Sequence, residues 1–387
     1  MPELKILWIN DRADFTGGCE GYIFHTARML SEKGYHNTLL YDVKGWTEPS
    51  FIRIFDAAFP RVALKRQIAE IEPDIIYVHH LAGRQAISEL LESGRPAIRF
   101  FHDHKLFCLR EHKYKTISHQ TCTQPTGWRC YPCLGFINRS EGRIPVKISS
   151  LGKLQAEQAV NKKLSGFIVA SEYMKKHLTA HGFPADKIKV IPLYSWRDRE
   201  EEPGKDGNYI LYSGQIVRGK GIDILLKAMK LINTQIPLII AGSGRQKQEY
   251  EELTQKLGLN ELVKFNGFVN QEKLMKLNRD CTCLVMPSRV PETFGLSGLE
   301  AMSWSKPVVA SDVGGISQWL KHGINGYLIK GNDPQAMASA LDKLLSDRVR
   351  AAEMGRAGYV IYKKEFTPEV HLDSLMKYFE RVIMGGK

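Results

Sequence analysis

The feature that most constrains this chain is a regular alternation of short apolar, β-branched runs with longer segments of helical period. In the first half, five such runs are found: Lys5–Ile9, His36–Tyr41, Asp74–Val78, Ala97–Phe101 and Gly166–Ala170. Helical patterns separate most of them. This alternation is typical of βαβ units, in which parallel strands form a sheet covered by helices.

The pattern starts again after residue 192, beyond a polar linker over residues 198–208 that is rich in helix breakers. Five more strand-like runs follow: Tyr209–Ser213, Ile236–Ala241, Leu262–Phe265, Thr282–Met286 and Pro307–Ala310. The 387 residues also exceed what one hydrophobic core usually supports. We therefore predict two doubly wound, Rossmann-like α/β domains, residues 1–195 and 208–365, facing a central cleft. The C-terminal segment, residues 366–387, is predicted to be a helix that packs back towards the N-terminal domain.

The charge of the chain is unevenly distributed. Its 54 Lys and Arg against 42 Asp and Glu give a net charge of +12, and residues 101–200 hold 17 basic and 8 acidic residues. A localised basic surface suits phosphate-rich partners, namely nucleotides, nucleic acid or an anionic membrane, whereas a surface that only aids solubility is the alternative. No apolar run approaches the roughly 18 residues of a membrane span, and no secretory signal precedes the first strand. We expect a cytoplasmic protein.

A glycine-rich turn joins a strand to a helix over residues 212–228. Exposed amides at a helix start and the positive end of the helix dipole favour a phosphate, and Arg218 and Lys220 add positive charge there. The pattern indicates a diphosphate site, although an ordinary βα turn has similar glycines.

Two carboxylates, Glu292 and Glu300, lie on either side of a second strand-to-helix turn within residues 285–302. Carboxylates accept hydrogen bonds from vicinal hydroxyls, while the amides near Phe294 to Leu296 face an anion. This arrangement suits a phosphorylated sugar. Either glutamate alone is also explained as a helix-start acid that complements the dipole.

Histidines follow two strand-like runs of the first half. His102, Asp103 and His104 come directly after one run, and His79 and His80 end another. Open α/β sheets present functional groups at such strand ends, and the alternative for each histidine is a structural role.

Four of the seven cysteines lie in a loop-like insertion at about residues 104–140: Cys108, Cys122, Cys130 and Cys133. Four thiolates that include a CxxC pair can form a tetrahedral zinc site or, less favoured here, an iron–sulfur site. Free or disulfide-paired thiols are the alternative. A metal in this insertion would shape acceptor recognition rather than take part in the chemistry.

In their order and spacing, these segments resemble the retaining glycosyltransferases of family 4, which have the GT-B fold. The resemblance rests first on the Glu-x7-Glu motif that ends at Glu300. It extends over most of the chain through further matching segments: residues 16–20, 214–221, 241–244, 267–268, 307–316 and 322–327.

The resemblance implies transfer of a sugar, with retention, from a UDP- or GDP-linked donor to a hydroxyl of a sugar or lipid-linked acceptor. The expected setting is bacterial polysaccharide, glycolipid or glycoconjugate synthesis. No cofactor is expected to be required for catalysis, and no nucleic-acid partner is expected. The basic N-terminal half fits a peripheral contact with an anionic membrane at its inner face.

The resemblance also assigns roles to residues. His102 is placed near the reaction centre, Lys220 on the donor diphosphate and Glu292 on a sugar hydroxyl; we expect these three to be the catalytic residues. Asp103 and His104 are expected on the acceptor side. The donor-binding residues it implies are Gly17, Gly18, Gly214, Arg218, Lys220, Gly244, Gly267, Phe268, Phe294, Gly295, Leu296 and Glu300, the last of them on the ribose hydroxyls.

One position departs from the family pattern. The residue after Gly214 is usually an arginine, whereas this chain has Gln215. Arg218 is the candidate to replace the missing charge. If it does not, stabilisation of the leaving group is poorer, and the alternative function is a nucleotide-sugar-binding protein that has lost transfer activity.

Overall fold

The computed structural model describes residues 4–42, 47–115, 118, 120–139, 146–195 and 207–385. The chain divides into two compact units. The first comprises Met1–Glu111, Gln124–Pro192 and His371–Lys387, and the second comprises His112–Thr123 and Leu193–Val370. No helix in the described ranges is long and apolar enough to cross a membrane.

The first unit is built on a seven-stranded parallel sheet with the order β3-β2-β1-β4-β5-β8-β9. A two-stranded antiparallel hairpin, β6-β7, is separate from it. The strands are β1 Lys5–Ile9, β2 His36–Asp42, β3 Ala57–Arg61, β4 Ile75–Val78, β5 Ala97–Phe101, β6 Ile137–Arg139, β7 Val146–Ile148, β8 Gly166–Val169 and β9 Ile188–Val190. The helices are α1 Gly18–Glu32, α2 Pro49–Ile52, α3 Leu64–Ile71, α4 Arg84–Glu92, α5 Leu151–Asn161 and α6 Glu172–Ala180.

The second unit contains a six-stranded parallel sheet with the order β12-β11-β10-β13-β14-β15. Its strands are β10 Ile210–Ser213, β11 Leu238–Ala241, β12 Val263–Gly267, β13 Cys283–Met286, β14 Val308–Ser311 and β15 Gly326–Ile329. Its helices are α7 Ile222–Leu231, α8 Lys247–Lys256, α9 Gln271–Asp280, α10 Leu296–Ser303, α11 Pro334–Ser346 and α12 Arg348–Glu365.

The last helix, α13, spans Pro368–Gly385 and belongs to the first unit from His371 onward. Its apolar face is buried at Leu372, Leu375 and Phe379. The Tyr378 hydroxyl accepts a hydrogen bond from the Phe167 amide, at the start of β8. These contacts attach the carboxyl end of the chain to the sheet of the first unit.

The strands of both sheets are buried because helices cover both faces, as the continuous apolar runs require. β1, β4 and β5 have almost no exposed side chains, and β13 and β14 are likewise buried. In each sheet the strand order reverses beside the first strand, between β1 and β4 and between β10 and β13. Loops at the carboxyl ends of these neighbouring strands diverge there, which leaves a crevice suited to ligands.

The prediction of two parallel, Rossmann-like sheets is confirmed. Sequence analysis did not identify the edge strands β3, β9 and β15. These strands are only partly buried, so they lack the continuous apolar run that marks an inner strand. Most of the expected linker, up to residue 206, lies outside the described residues.

The expected N-terminal insertion is divided between the units. Residues 112–123 cluster with the second unit, although the residues on both sides of them belong to the first. The Thr121 hydroxyl donates a hydrogen bond to the Arg289 carbonyl, and a Cβ at Gly219 would lie 3.4 Å from the Tyr114 ring. This short excursion therefore packs on the loops around residues 219 and 289.

Candidate active site

Glycines bring the loops after β10 and β11 into close contact. A Cβ at Gly242 would lie 1.8 Å from the Gly214 carbonyl oxygen, and a Cβ at Gly244 would lie 2.2 Å from that of Ile216. Any side chain at these two positions would force the loops apart. Gly214 and Gly244, both predicted to bind the donor, therefore lie in one tightly packed turn structure at the strand ends.

Lys220 and Glu292, which are far apart in sequence, form an ion pair in the second unit. Lys220 Nζ lies 2.7 Å from Glu292 Oε1, and Ser288 Oγ donates a hydrogen bond to the same carboxylate oxygen. The two side chains are 27% and 12% exposed, so the pair is only partly shielded from water. The residues predicted for the diphosphate and for the donor sugar thus occupy one place.

Glycines cap two helices in this region. Gly221 precedes α7 with a φ of 71°, and Gly295 precedes α10 with a φ of 93°, left-handed conformations that favour glycine. The start of α7 is packed against the Pro287 carbonyl and carries the Asp223 carboxylate in its first turn. The start of α10 has no acidic side chain in its first turn, so it can receive an anion.

The Glu292 to Leu296 segment is held through its backbone. The Glu292 carbonyl accepts a hydrogen bond from the Gly315 amide at 2.8 Å, and the Phe294 carbonyl accepts one from Trp319 Nε1 at 2.7 Å. The Phe294 ring is buried, so only its backbone is available to a ligand. Leu296 is the first residue of α10.

Glu300 lies on α10, one turn beyond the open helix start. Burial raises the pKa of its carboxyl to about 7, from an ordinary value of 4.5. Hydroxyl groups of a ligand can donate hydrogen bonds to such a carboxylate and stabilise its ionised form in place of water. This position suits a hydroxyl-bearing ligand.

Arg218 is directed towards α8. Its guanidinium Nη2 lies 3.1 Å from Glu249 Oε2, and it lines a cavity of about 430 Å³ with Asp223, Lys227 and Tyr250. Neither Lys220 nor Glu292 lines this cavity. The residue expected to replace the missing charge near Gln215 is therefore held by another partner in this structure.

A buried ion pair that sequence analysis missed supports the Lys220 loop. Arg289 makes a two-pronged interaction with Asp223, both distances being 2.6 Å, and its Nη1 also donates to the Arg218 carbonyl. The amides of Arg289 and Val290 donate to the Gly219 carbonyl. The positions of Arg289 and Asp223 after β13 and at the start of α7 were the only available signal.

Gly267 is the last residue of β12, and Phe268 follows it. Gly267 has a φ of 67°, and its carbonyl accepts a hydrogen bond from the Gly242 amide. The Phe268 ring is 71% exposed. An exposed aromatic ring at a strand end offers a face on which a planar base can stack.

In the first unit, His102 pairs with a second histidine at the carboxyl ends of β4 and β5. His79 Nδ1 and His102 Nε2 are 2.8 Å apart. Burial and the nearby positive charge of His80 lower the pKa of His102 to about 3. Burial also holds the pKa of His79 well below its ordinary value, so both imidazoles are neutral near pH 7.

His80 forms a charged group with two aspartates. Its Nε2 lies 3.2 Å from Asp103 Oδ2 and its Nδ1 lies 3.4 Å from Asp11 Oδ1. Burial opposes protonation, but hydrogen bonds to these carboxylates outweigh it and raise the pKa of His80 to about 12. Burial would likewise raise the pKa of Asp103, yet the bond from His80 holds it well below its usual range. Asp11 was missed although it directly follows β1.

The remaining predicted residues of the first unit are placed differently. Gly17 is the N-cap of α1 and Gly18 its first residue, and both are exposed. His104 is buried, with its ring 5.2 Å from that of His177 and 6.1 Å from that of Tyr173. Because it packs beneath α6, His104 is a core residue in this structure.

The four clustered cysteines are not gathered into a ligand set. Cys122 belongs to the second unit, and Cys108, Cys130 and Cys133 belong to the first. Within the described ranges, none of them belongs to a group of three or more possible metal ligands within 4.8 Å, and no disulfide is formed. The zinc site stays a prediction.

Comparison with known proteins adds independent findings. Residues 16–193 match the family model "Glycosyltransferase Family 4", and residues 195–379 match "Glycosyl transferases group 1". A D-inositol 3-phosphate glycosyltransferase of Catenulispora acidiphila is 31% identical over 96% of this chain and 92% of its own length. An uncharacterized glycosyltransferase of Methanocaldococcus jannaschii is 36% identical, over 46% of this chain and only half of that protein.

A solved structure shares the architecture. The Anabaena protein HepE, in complex with UDP and glucose, superposes with a TM-score of 0.72 over 97% of this chain and 99% of its own. The sequences are 18% identical, so this likeness concerns the fold. The expectation of a GT-B fold is confirmed.

Proposed function

Because the chain belongs to glycosyltransferase family 4, a family of retaining enzymes, we propose that it transfers a sugar from a nucleotide-sugar donor to an acceptor hydroxyl. The observation that carries the proposal is the ion pair of Lys220 and Glu292 in the same unit as the glycine-capped start of α10, with both loops following strands beside the switch point of the second sheet. Cation, hydroxyl acceptor and free amides are the groups that a sugar diphosphate needs.

In the proposed mechanism, Lys220 and the amides at the start of α10 stabilise the negative charge that develops on the leaving diphosphate. Preorganised charges of this kind lower the barrier because they need no rearrangement during the reaction. Lys220 is already fixed by Glu292 at 2.7 Å, so it does not have to be ordered by the donor. Glu292 then accepts a hydroxyl of the donor sugar and holds the sugar for transfer.

The nucleoside is proposed to bind between Glu300 and Phe268. Glu300 accepts the ribose hydroxyls, and Phe268 offers its exposed ring to the base. The Anabaena protein binds UDP, which supports a UDP-linked donor; a GDP-linked donor is the second expectation.

We assign the acceptor side to the first unit. We place the acceptor hydroxyl beside the neutral His102, while the His80 and Asp103 pair supplies a fixed charge. A lipid-linked acceptor in polysaccharide or glycolipid synthesis would explain the basic residues 101–200, through contact with an anionic membrane surface.

The test is calorimetric binding of UDP, GDP and their sugars to the full chain, followed by a transfer assay with the donor that binds. Lys220→Ala should weaken nucleoside diphosphate binding by about 10- to 100-fold, because a charge-assisted contact contributes about 1.5–3 kcal/mol. Nucleoside binding should hardly change. Lys230→Ala, at an exposed lysine on α7, the helix that follows Lys220, is the matched control. Equal affinities of Lys220→Ala and the parent protein for the diphosphate would refute the phosphate assignment.

Glu292→Gln distinguishes the contact with the donor sugar from the binding of the nucleotide. It should reduce transfer more than nucleoside diphosphate binding, because the diphosphate loses only the partner that fixes Lys220 whereas the sugar loses a direct contact; the exposed Glu251→Gln is the control. Equal loss of both activities would contradict the role given to Glu292.

A binding protein without transfer activity is the second candidate. It is favoured by the pairing of Arg218 with Glu249, since the charge missing at Gln215 is then not replaced. Tight donor binding with no transfer to any acceptor, and no hydrolysis of the donor, would support it.

A further inference from the structure

Three soft or borderline metal ligands meet at the strand ends of the first unit: Cys19, His79 and His102. The thiol sulfur and one nitrogen of each imidazole all lie within 4.8 Å of one another. Cys19 comes from the first turn of α1, while the histidines follow β4 and β5. Three separate elements therefore supply the group, and only the fold brings them together.

The two imidazoles already point their ring nitrogens at each other. His79 Nδ1 and His102 Nε2 are 2.8 Å apart, a hydrogen-bond distance. Two nitrogens bound to a tetrahedral zinc ion at about 2.0–2.1 Å stand about 3.3 Å apart. A rotation that opens the pair by about half an ångström would thus let a metal ion replace the shared proton.

The protonation of the two rings fits this exchange. Neutral imidazole is the form that binds metal, and the 2.8 Å contact between His79 Nδ1 and His102 Nε2 places one proton between the two rings. Whichever ring carries the shared proton moves it to its other nitrogen, and the Cys19 thiol releases its proton as the metal–sulfur bond forms. A Cys and two His ligands leave a fourth position for water, which is the pattern of an open zinc site.

Charges of both signs surround the group. The Asp11 and Asp103 carboxylates flank His80, Lys105 Nζ lies 3.5 Å from Asp103 Oδ2, and Arg99 is close enough to His79 to oppose its protonation. His80 is committed to the carboxylates as a cation, so we do not count it as a ligand. The proposal therefore rests on the geometry of the three ligands.

We propose that Cys19, His79 and His102 form a reversible site for Zn²⁺ or a similar borderline divalent metal. Occupancy would hold His102 on the metal, away from the acceptor contact given to it above, and so inhibit the enzyme. The inhibition rests on the proposed function, whereas metal binding does not.

Cobalt titration of the full chain tests the binding, because a thiolate ligand gives Co²⁺ an intense near-ultraviolet charge-transfer band. Cys19→Ser should bind one Co²⁺ fewer than the parent protein and lose that part of the band. Cys130→Ser is the control, since it disrupts only the separately predicted four-cysteine site. Identical stoichiometry and spectra for Cys19→Ser and the parent would overturn the proposal.

A second variant guards against misfolding. His79→Gln should also lose one Co²⁺, and thermal unfolding shows whether each variant is folded. Retention of the full Co²⁺ stoichiometry by folded His79→Gln would also overturn the site.

Inhibition has a separate readout. With an active donor, Zn²⁺ should inhibit transfer by the parent but not by Cys19→Ser, and a chelator should restore activity. Equal inhibition of both proteins would overturn the inhibitory role. If no donor is turned over, the proposed function fails while the Co²⁺ result still decides the metal site.

Discussion

Glu300→Gln offers the sharpest test of the site, because this one substitution should stabilise the ligand-free protein and weaken its binding of the nucleotide. Glu300 is partly buried on α10, and desolvation raises the pKa of its carboxyl to about 7. A buried carboxylate loses hydration when it ionises. Glutamine has nearly the same shape and stays neutral at every pH.

The magnitude follows from the pKa. Below pH 4.5 the carboxyl is protonated in the folded and unfolded chain, so ionisation costs nothing. As the pH rises towards 7, the unfolded chain releases the proton first, and stability falls. Above this range the full cost is present, at most about 3 kcal/mol at about 1.4 kcal/mol for each pKa unit. Glu300→Gln avoids that cost, so its advantage should be absent near pH 4.5 and complete near pH 8.

Thermal unfolding without nucleotide measures the effect. One kcal/mol shifts the Tm of a domain of this size by about 2–4 °C, so the variant should melt higher near pH 8, by at most about 6–12 °C, and hardly differently near pH 5. The exposed Glu353→Gln on α12 is the control and should show no such pH dependence. If the variant is no more stable than the parent near pH 8, ionised Glu300 does not destabilise the folded protein and the argument from its raised pKa is wrong.

The same carboxyl should report on nucleotide binding. Ribose hydroxyls are accepted by the carboxylate form, so binding near pH 6 should release a proton from the parent protein. Calorimetry in two buffers of different ionisation enthalpy measures this release. Glu300→Gln should show no release and bind the nucleotide about 10-fold or more weakly. Proton release that is equal in both proteins would exclude Glu300 as its source.

Two further substitutions test the Lys220 loop. Gln215→Arg should raise kcat/KM for transfer by about 10-fold, because the arginine donates hydrogen bonds to the developing phosphate charge. The neutral Gln215→Leu should not raise it, and steady-state kinetics compares the two variants. Equal kcat/KM values for the arginine and leucine variants would contradict the charge argument. Asp223→Asn should destabilise the protein by about 2 kcal/mol, because it leaves Arg289, 7% exposed, with a weaker partner. Asp373→Asn, which breaks an exposed pair with Lys377, is the control for denaturant unfolding, and equal midpoints for the two variants would show that the buried pair contributes nothing.

The inner strands could be predicted from the sequence because a strand that is buried on both faces consists of consecutive apolar residues. β4 and β13 are examples, since every residue in them is buried. An edge strand such as β3 has no continuous apolar run, since it contains Pro60 and has no fully buried residue. The glycine turns were identifiable for a similar reason, because positions such as Gly295, with a φ of 93°, favour one residue type.

Contacts between residues that are distant in sequence could not be predicted from the sequence. Nothing local shows that Lys220 meets Glu292, that Arg289 holds Asp223, or that His80 lies between two aspartates. Each pair joins different strand ends, and its formation depends on strand order. The position of His104 was also decided by packing, since its neighbours in sequence give no sign that α6 covers it.

The sequence by itself therefore determined the two sheets, the family and the local turns, because periodicity and glycine conformations are properties of short segments. The tertiary structure decided which groups share a site and what charge they carry. The neutral His102, the charged His80 and the half-protonated Glu300 near pH 7 follow from burial and from partners distant in sequence. Desolvation and charge pairing act through space, so only the folded chain sets them.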